Sequence, residues 1–137
     1  KKKTIELAEI EFQRKVINGL LEKTHLSKND IDLIISGDLQ NQLLASTISV
    51  SNTDISHLGI YSACSTFVEG MIIASMFLNN EKNNIIVSSS SHNLVSEKQF
   101  RFPVEYGAVR RKVNTCTASG SISILLSKNS VFCFVFF

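Results

Sequence analysis

Proline occurs once in this chain of 137 residues and glycine six times, which excludes a collagen-like repeat and the Pro/Gly-rich composition of a disordered segment. Charge of one sign is not in excess: fourteen Lys plus Arg stand against twelve Asp plus Glu, for a net charge of +2. A dedicated nucleic-acid binder concentrates basic residues on one face, and the main internal cluster, Arg110-Arg111-Lys112, reads instead as a solvated loop. No nucleic-acid partner is expected. Long apolar runs are missing too. The richest, 71–78, stops at Asn79 and Asn80, far short of the roughly 20 residues that cross a bilayer. Lys1-Lys2-Lys3 leads into an amphipathic stretch, so no signal peptide is read, and without an initiator Met the chain is expected to begin inside a longer protein. Cysteine is scarce. Cys64, Cys116 and Cys133 are odd in number and lack metal-ligand spacing, which fits a reducing, intracellular compartment better than a disulfide framework. What is present is apolar: 44% of residues are hydrophobic and 19% charged, enough for one core that buries roughly two-thirds of the unfolded surface.

Residues 5–24 read as an amphipathic helix. Ile10, Val16, Ile17, Leu20 and Leu21 recur at helical spacing, and Glu6, Glu9, Gln13 and Arg14 take the polar positions. Ser27 with Asp30 gives a capping-box-like start to a short turn. The run Asp32-Leu33-Ile34-Ile35-Ser36, closed by Gly37, predicts a buried strand. A weaker helix is expected over 40–49, a second strand over 58–62, and a long apolar helix over 66–78, buried between layers. A third strand over 84–88 is followed by a polar segment, 89–99, and a fourth strand covers 121–127. Strands alternating with helices predict an α/β layered fold with a mostly parallel sheet. The apolar tail Val131-Phe132-Cys133-Phe134-Val135-Phe136-Phe137 has two readings: an extra edge strand, or a truncation or frame-shift product apart from a domain spanning 1–130. The second is preferred.

Cys64 is the most informative position. It falls where a strand ends and an apolar helix begins, a place where backbone N–H groups and the helix dipole favour a thiolate or a bound anion. The same geometry suits an acyl-accepting nucleophile. The alternative is a buried cysteine acting as a small hydrophobe.

Four blocks appear in order: Gly37-Asp38-Leu39-Gln40-Asn41-Gln42, then 58–66 with Ala63-Cys64-Ser65-Thr66, then Ser90-Ser91-His92-Asn93, then 97–107 with Lys98-Gln99-Phe100-Arg101-Phe102-Pro103-Val104-Glu105-Tyr106-Gly107. Together they resemble the stage V sporulation protein AD family, thiolase-like proteins of spore-forming bacteria, with similarity from residue 9 to residue 127. The last block is the most specific; Ala-Cys-Ser-Thr alone points only to the thiolase-like superfamily. The resemblance implies a thiolase-like half: three layers, α/β/α, around a mixed, mostly parallel sheet. It implies binding of dipicolinic acid (pyridine-2,6-dicarboxylic acid), alone or as its calcium chelate, for uptake into the developing spore. Membrane proteins of the spore dipicolinate-uptake complex would be partners, the setting would be the periphery of the spore inner membrane, and the full-length form would pair as a homodimer. Position by position, Cys64 matches the family's pocket cysteine, Asp38 matches its pocket aspartate, and His92 lies in a matching motif. The other readings are a condensing-type acyltransferase with Cys64 as nucleophile, and a fragment without function.

The ligand is a planar dianion, and the amides following Cys64 are expected to receive one carboxylate. Asp38 would repel it unless Ca²⁺ bridges the two, so the chelate is expected to be preferred. Asp38 otherwise reads as a turn or helix-cap residue, and His92 as a loop residue bonded to backbone. His25 and His57 read as exposed or loop residues, Cys116 as an incidental core residue, and Phe100, Phe102 and Tyr106 as loop anchors or a sandwich for a pyridine ring. Relatives have two similar halves, and this chain covers most of the first. Their first strand would precede residue 1, and its loss is expected to leave a gap inside the sheet. Ser62 stands where the family carries Gly, and 114–121 departs from the family's glycine pattern.

Overall fold

The computed structural model describes residues 4–80, 82–100, 113, 116–128 and 133–136. Helix α1 (Ile5–Thr24) starts where the extended Thr4 accepts the Leu7 N–H on its hydroxyl at 3.2 Å, which satisfies a first-turn donor. It stops at His25, whose left-handed φ of 56° turns the chain so that Leu26 N–H returns to Leu21 O at 3.2 Å. Those bounds are the predicted ones. Ser27 N–H and Oγ–H both donate to Asp30 Oδ2, at 2.8 and 2.6 Å, and fix the turn that leads into β1 (Leu33–Gly37).

Four further strands follow: β2 (His57–Gly59), β3 (Asn84–Ser91), β4 (Gly120–Ser127) and β5 (Cys133–Phe136). They form a five-stranded sheet in the order β2-β1-β3-β4-β5. β2, β1 and β3 are parallel, β4 runs antiparallel to β3, and β5 antiparallel to β4. Parallel neighbours need crossovers, which α2 (Leu44–Val50) and α3 (Thr66–Asn80) supply. Side chains alternate across β1. Ile34 packs with Ile17 and Leu20 of α1 and Val50 of α2, whereas Leu33 and Ile35 pack with Ala74 of α3 and with Ile85 and Val87 of β3. The result is the expected three-layer α/β/α arrangement around a mixed sheet.

Several expectations are corrected. β1 pairs directly with β3 from Leu33↔Ile85 to Gly37↔Ser89, so the sheet has no interior gap. Glu9 and Gln13 are not on the polar face of α1 but fully buried; with Val16 and Leu20 they recur at helical spacing along one face. The helix expected over 40–49 is divided, because Gln42 and Leu43 adopt left-handed φ of 56° and 54° and end a 3-10 turn, Asn41–Leu43, before α2 begins. α3 covers only one face of the sheet rather than lying between layers, leaving Val68, Ile72 and Met76 52%, 58% and 63% exposed. β2 is shorter than predicted, β3 runs on to Ser91, and the polar segment holds a helix, α4 (Asn93–Phe100). In the tail, Cys133–Phe136 forms an edge strand on β4, the first of its two readings, and Val135 packs against the core beneath α1. Arg110-Arg111-Lys112, Phe102, Tyr106 and the Phe100 side chain lie outside the described residues.

Candidate functional site

The parallel strands end together at Gly37, Gly59 and Ser91, and β4 begins beside them at Gly120. The carboxyl ends of strands in an open α/β sheet are where ligand clefts form. A cleft of about 320 Å³ lies there, at the small end of ligand-pocket sizes. Its walls come from Leu39 after β1, from Cys64 and Phe67 at the start of α3, from residues 89–91 of β3, and from residues 117–122 leading into β4.

Cys64 sits in a 3-10 turn, Ala63–Ser65, with its thiol free and exposed. Hydroxyls build this turn. Ser62 N–H donates to Thr66 Oγ1 at 3.0 Å, Thr66 Oγ1–H donates to Ala63 O at 2.8 Å, and Ser65 Oγ–H to Ser62 O at 2.7 Å. Ala63 holds a left-handed φ of 47°, a conformation that costs a residue with a Cβ roughly 1–2 kcal/mol and concentrates at functional turns. Gly37 lets β1 end against this turn: a Cβ there would fall on the Ile60 carbonyl and within 2.5 Å of Thr66 Cγ2. The expectation that the amides after Cys64 are open to a carboxylate is corrected for two of them. Ser65 N–H donates to Ser62 O at 2.9 Å and Thr66 N–H to Ala63 O, because a 3-10 turn closes its own i to i+3 bonds.

Asp38 is 1% exposed. Its Oδ1 accepts Gln40 N–H at 2.7 Å, and its Oδ2 accepts Ser46 N–H and Ser46 Oγ–H at 2.7 and 2.6 Å. That is the loop-and-cap arrangement, and Asp38 is not among the described residues lining the cleft. His92 follows the lining serines of β3. Its ring lies parallel to Phe12 with centroids 6.0 Å apart, its carbonyl accepts Ser96 N–H at 3.0 Å, and its Nδ1 is buried without a hydrogen-bond partner among the described residues. The structure therefore brings Cys64 to the cleft and places Asp38 and His92 outside its described lining. His57 is half-buried, with Nε2 at 2.9 Å from Ser36 Oγ, and burial lowers its pKa; Cys116 is exposed rather than a core residue. The 117–119 wall is tied down by Ser91 Oγ–H donating to Ala118 O at 2.6 Å and by Asn93 N–H donating to Ser119 Oγ at 2.8 Å.

The residue that reading the sequence missed is Glu9. It is fully buried, with Oε2 accepting Gln40 Nε2–H at 2.8 Å and Oε1 accepting Ser90 Oγ–H at 3.2 Å. Burial pushes its carboxyl from 4.5 up to about 7, Asp38 adds to the rise, and hydrogen bonds from Gln40, Ser90 and the His92 N–H oppose it. The available signal was its phase with the apolar stripe of α1. Among the described residues, no three His, Cys, Asp or Glu side chains are grouped to hold a metal ion, and no helix is long and apolar enough to cross a membrane.

The family model for Stage V sporulation protein AD (SpoVAD) matches residues 1–136. This chain belongs to the SpoVAD family. Stage V sporulation protein AD of Bacillus subtilis (strain 168) is 35% identical over 127 residues, 92% of this chain and 38% of that SpoVAD protein. The chain thus spans about two-fifths of its relative's length. Among solved structures, 3-oxoacyl-[acyl-carrier-protein] synthase III from Aquifex aeolicus VF5 superposes with a TM-score of 0.68 at 17% identity, covering 96% of this chain and 41% of the enzyme. A Xanthomonas campestris OleA variant superposes with a TM-score of 0.64 at 19% identity, covering 87% of this chain and 40% of that one. These likenesses show that this SpoVAD chain has the thiolase-like fold.

Proposed function

We propose that the cleft beside Cys64 binds pyridine-2,6-dicarboxylic acid in the service of sporulation, with the membrane proteins of the spore dipicolinate-uptake complex and a second copy of the full-length protein as partners. The observation that carries this reading is an exposed thiol on the wall of a small, serine-rich cleft in a chain of the SpoVAD family. A planar diacid offers only acceptors along its edge. Ser119 Oγ already accepts Asn93 N–H, which leaves its own proton for a carboxylate oxygen. Phe67 and Ile122, which also line the cleft, supply apolar surface for the ring. Asp38 does not fit a calcium ligand, since both of its oxygens are engaged by Gln40 and Ser46. In this reading calcium arrives held by the ligand's own oxygens and is dispensable.

Titration of the protein with pyridine-2,6-dicarboxylate, with and without calcium, tests the reading, using benzene-1,3-dicarboxylate as control. Saturable binding weakened by Ser119→Ala supports it, and no binding at millimolar ligand rejects it. A second reading, acyl transfer through a Cys64 thioester, is favoured by the strained, exposed turn and by the likeness to condensing enzymes. A stable acyl adduct on Cys64 after incubation with acyl-CoA, seen by mass spectrometry, would select it.

A further inference from the structure

The described lining of the cleft includes no Lys, Arg or His, and one of the two carboxyls bonded to that lining is Glu9, reached through Ser90, the other being Glu97 at Thr117. An anion entering the cleft therefore meets a like charge one side chain away, through Ser90. Some compensation is required. We propose that Glu9 is the proton-accepting group of this site, taking a proton from solvent as an anionic ligand enters. This inference rests on the diacid-binding reading above and deepens it; no covalent bond of the ligand changes.

Geometry supports it from three sides. Gln40 lies in the same loop as Leu39, which lines the cleft; Ser90 is part of the β3 wall; and both bond to the Glu9 carboxyl. A protonated carboxyl needs an acceptor. The Gln40 Oε1 is buried and has no hydrogen-bond partner among the described residues, so rotating the Gln40 amide presents Oε1 where Nε2 now stands. Glu9 then donates where it formerly accepted, and Gln40 serves both protonation states. Among the described residues, the groups acting on Glu9 include no cation. From the β1–α2 loop the charge acting on it is Asp38; from the end of β3, His92 contributes its backbone N–H while its ring lies against Phe12. On α1 itself Gln13 is bonded to Ser49 Oγ at 3.0 Å, and on α4 the buried carboxyl, Glu97, accepts Thr117 N–H at 3.0 Å. The near-neutral pKa of Glu9 means that both of its forms are populated close to pH 7.

The experiment is calorimetric titration with pyridine-2,6-dicarboxylate, calcium-free, in phosphate and in Tris at pH 7.5, and again in acetate and in MES at pH 5.5. These buffers differ in ionisation heat, so the difference in apparent enthalpy counts protons. Uptake of about half a proton per ligand is expected at pH 7.5, falling towards zero at pH 5.5, and Glu9→Gln should abolish it while still binding. Binding with no buffer dependence, or uptake unchanged in Glu9→Gln, overturns the inference and leaves the diacid reading standing. Absence of binding in the unaltered protein overturns both. Should Glu9→Gln not fold, the carbon-13 carboxyl resonance of Glu9 in the unaltered protein decides. Its titration midpoint is expected to rise by about one unit with ligand, and an unmoved midpoint overturns the proposal.

Discussion

The Gln40 side-chain amide donates to the Glu9 carboxyl at 2.8 Å, joining positions 31 residues apart in the chain. Because Glu9 is buried, its folded pKa of about 7 lies above the ordinary 4.5, and the sign of the linkage follows. The unfolded chain releases this proton first, so the stability associated with Glu9 is fully present below pH 4.5 and is lost as pH rises through 7. A shift of this size corresponds to roughly 3 kcal/mol. Denaturant unfolding at pH 4.5 and pH 8 should therefore show the unaltered protein losing roughly 3 kcal/mol more than Glu9→Gln. Equal losses would show that Glu9 titrates normally.

Asp38 separates a structural role from a ligand role. Its carboxylate accepts from three donors in the loop and the first turn of α2, so Asp38→Ala leaves buried N–H groups unmatched and is expected to cost roughly 3 kcal/mol of stability. Chemical denaturation measures this. Unchanged stability with binding abolished would instead make Asp38 a direct ligand contact.

Gly37 has no room for a side chain, since a Cβ would strike the Ile60 carbonyl and crowd Thr66 Cγ2. Gly37→Ala is expected to cost roughly 2 kcal/mol and to displace the turn that carries Cys64. The readouts are the unfolding midpoint and the alkylation rate of Cys64, and a variant matching the parent in both would contradict the close approach.

Much of the fold was legible because its burial is apolar and periodic. Ile34 and Ile35 of β1, Ile85 to Val87 of β3, and the Val16–Ile17–Leu20 stripe of α1 announce their elements through hydrophobic spacing. Cys64 was legible for a related reason, as the strand-to-helix punctuation between two such runs. What the pattern concealed was burial by polar residues. Glu9 and Gln13 sit in the apolar phase of α1 but were assigned to its wet face by residue type, and only their partners Gln40, Ser90 and Ser49 reveal otherwise. The break at Gln42 and Leu43 was hidden because neither is a residue that favours left-handed φ. The edge strand at Cys133–Phe136 depends on pairing with Ile122–Leu125, a long-range contact that no local signal encodes.

The most direct measurement of the central claim uses the two thiols that are exposed among the described residues, Cys64 in the cleft wall and Cys116 outside its described lining. Alkylation of each by iodoacetamide is followed by mass spectrometry with increasing pyridine-2,6-dicarboxylate. The expected result is at least about a tenfold slowing at Cys64 with saturating ligand, the tenfold being worth about 1.4 kcal/mol, while Cys116 reacts at an unchanged rate. Equal, undiminished labelling of both thiols at millimolar ligand would contradict a binding cleft at Cys64.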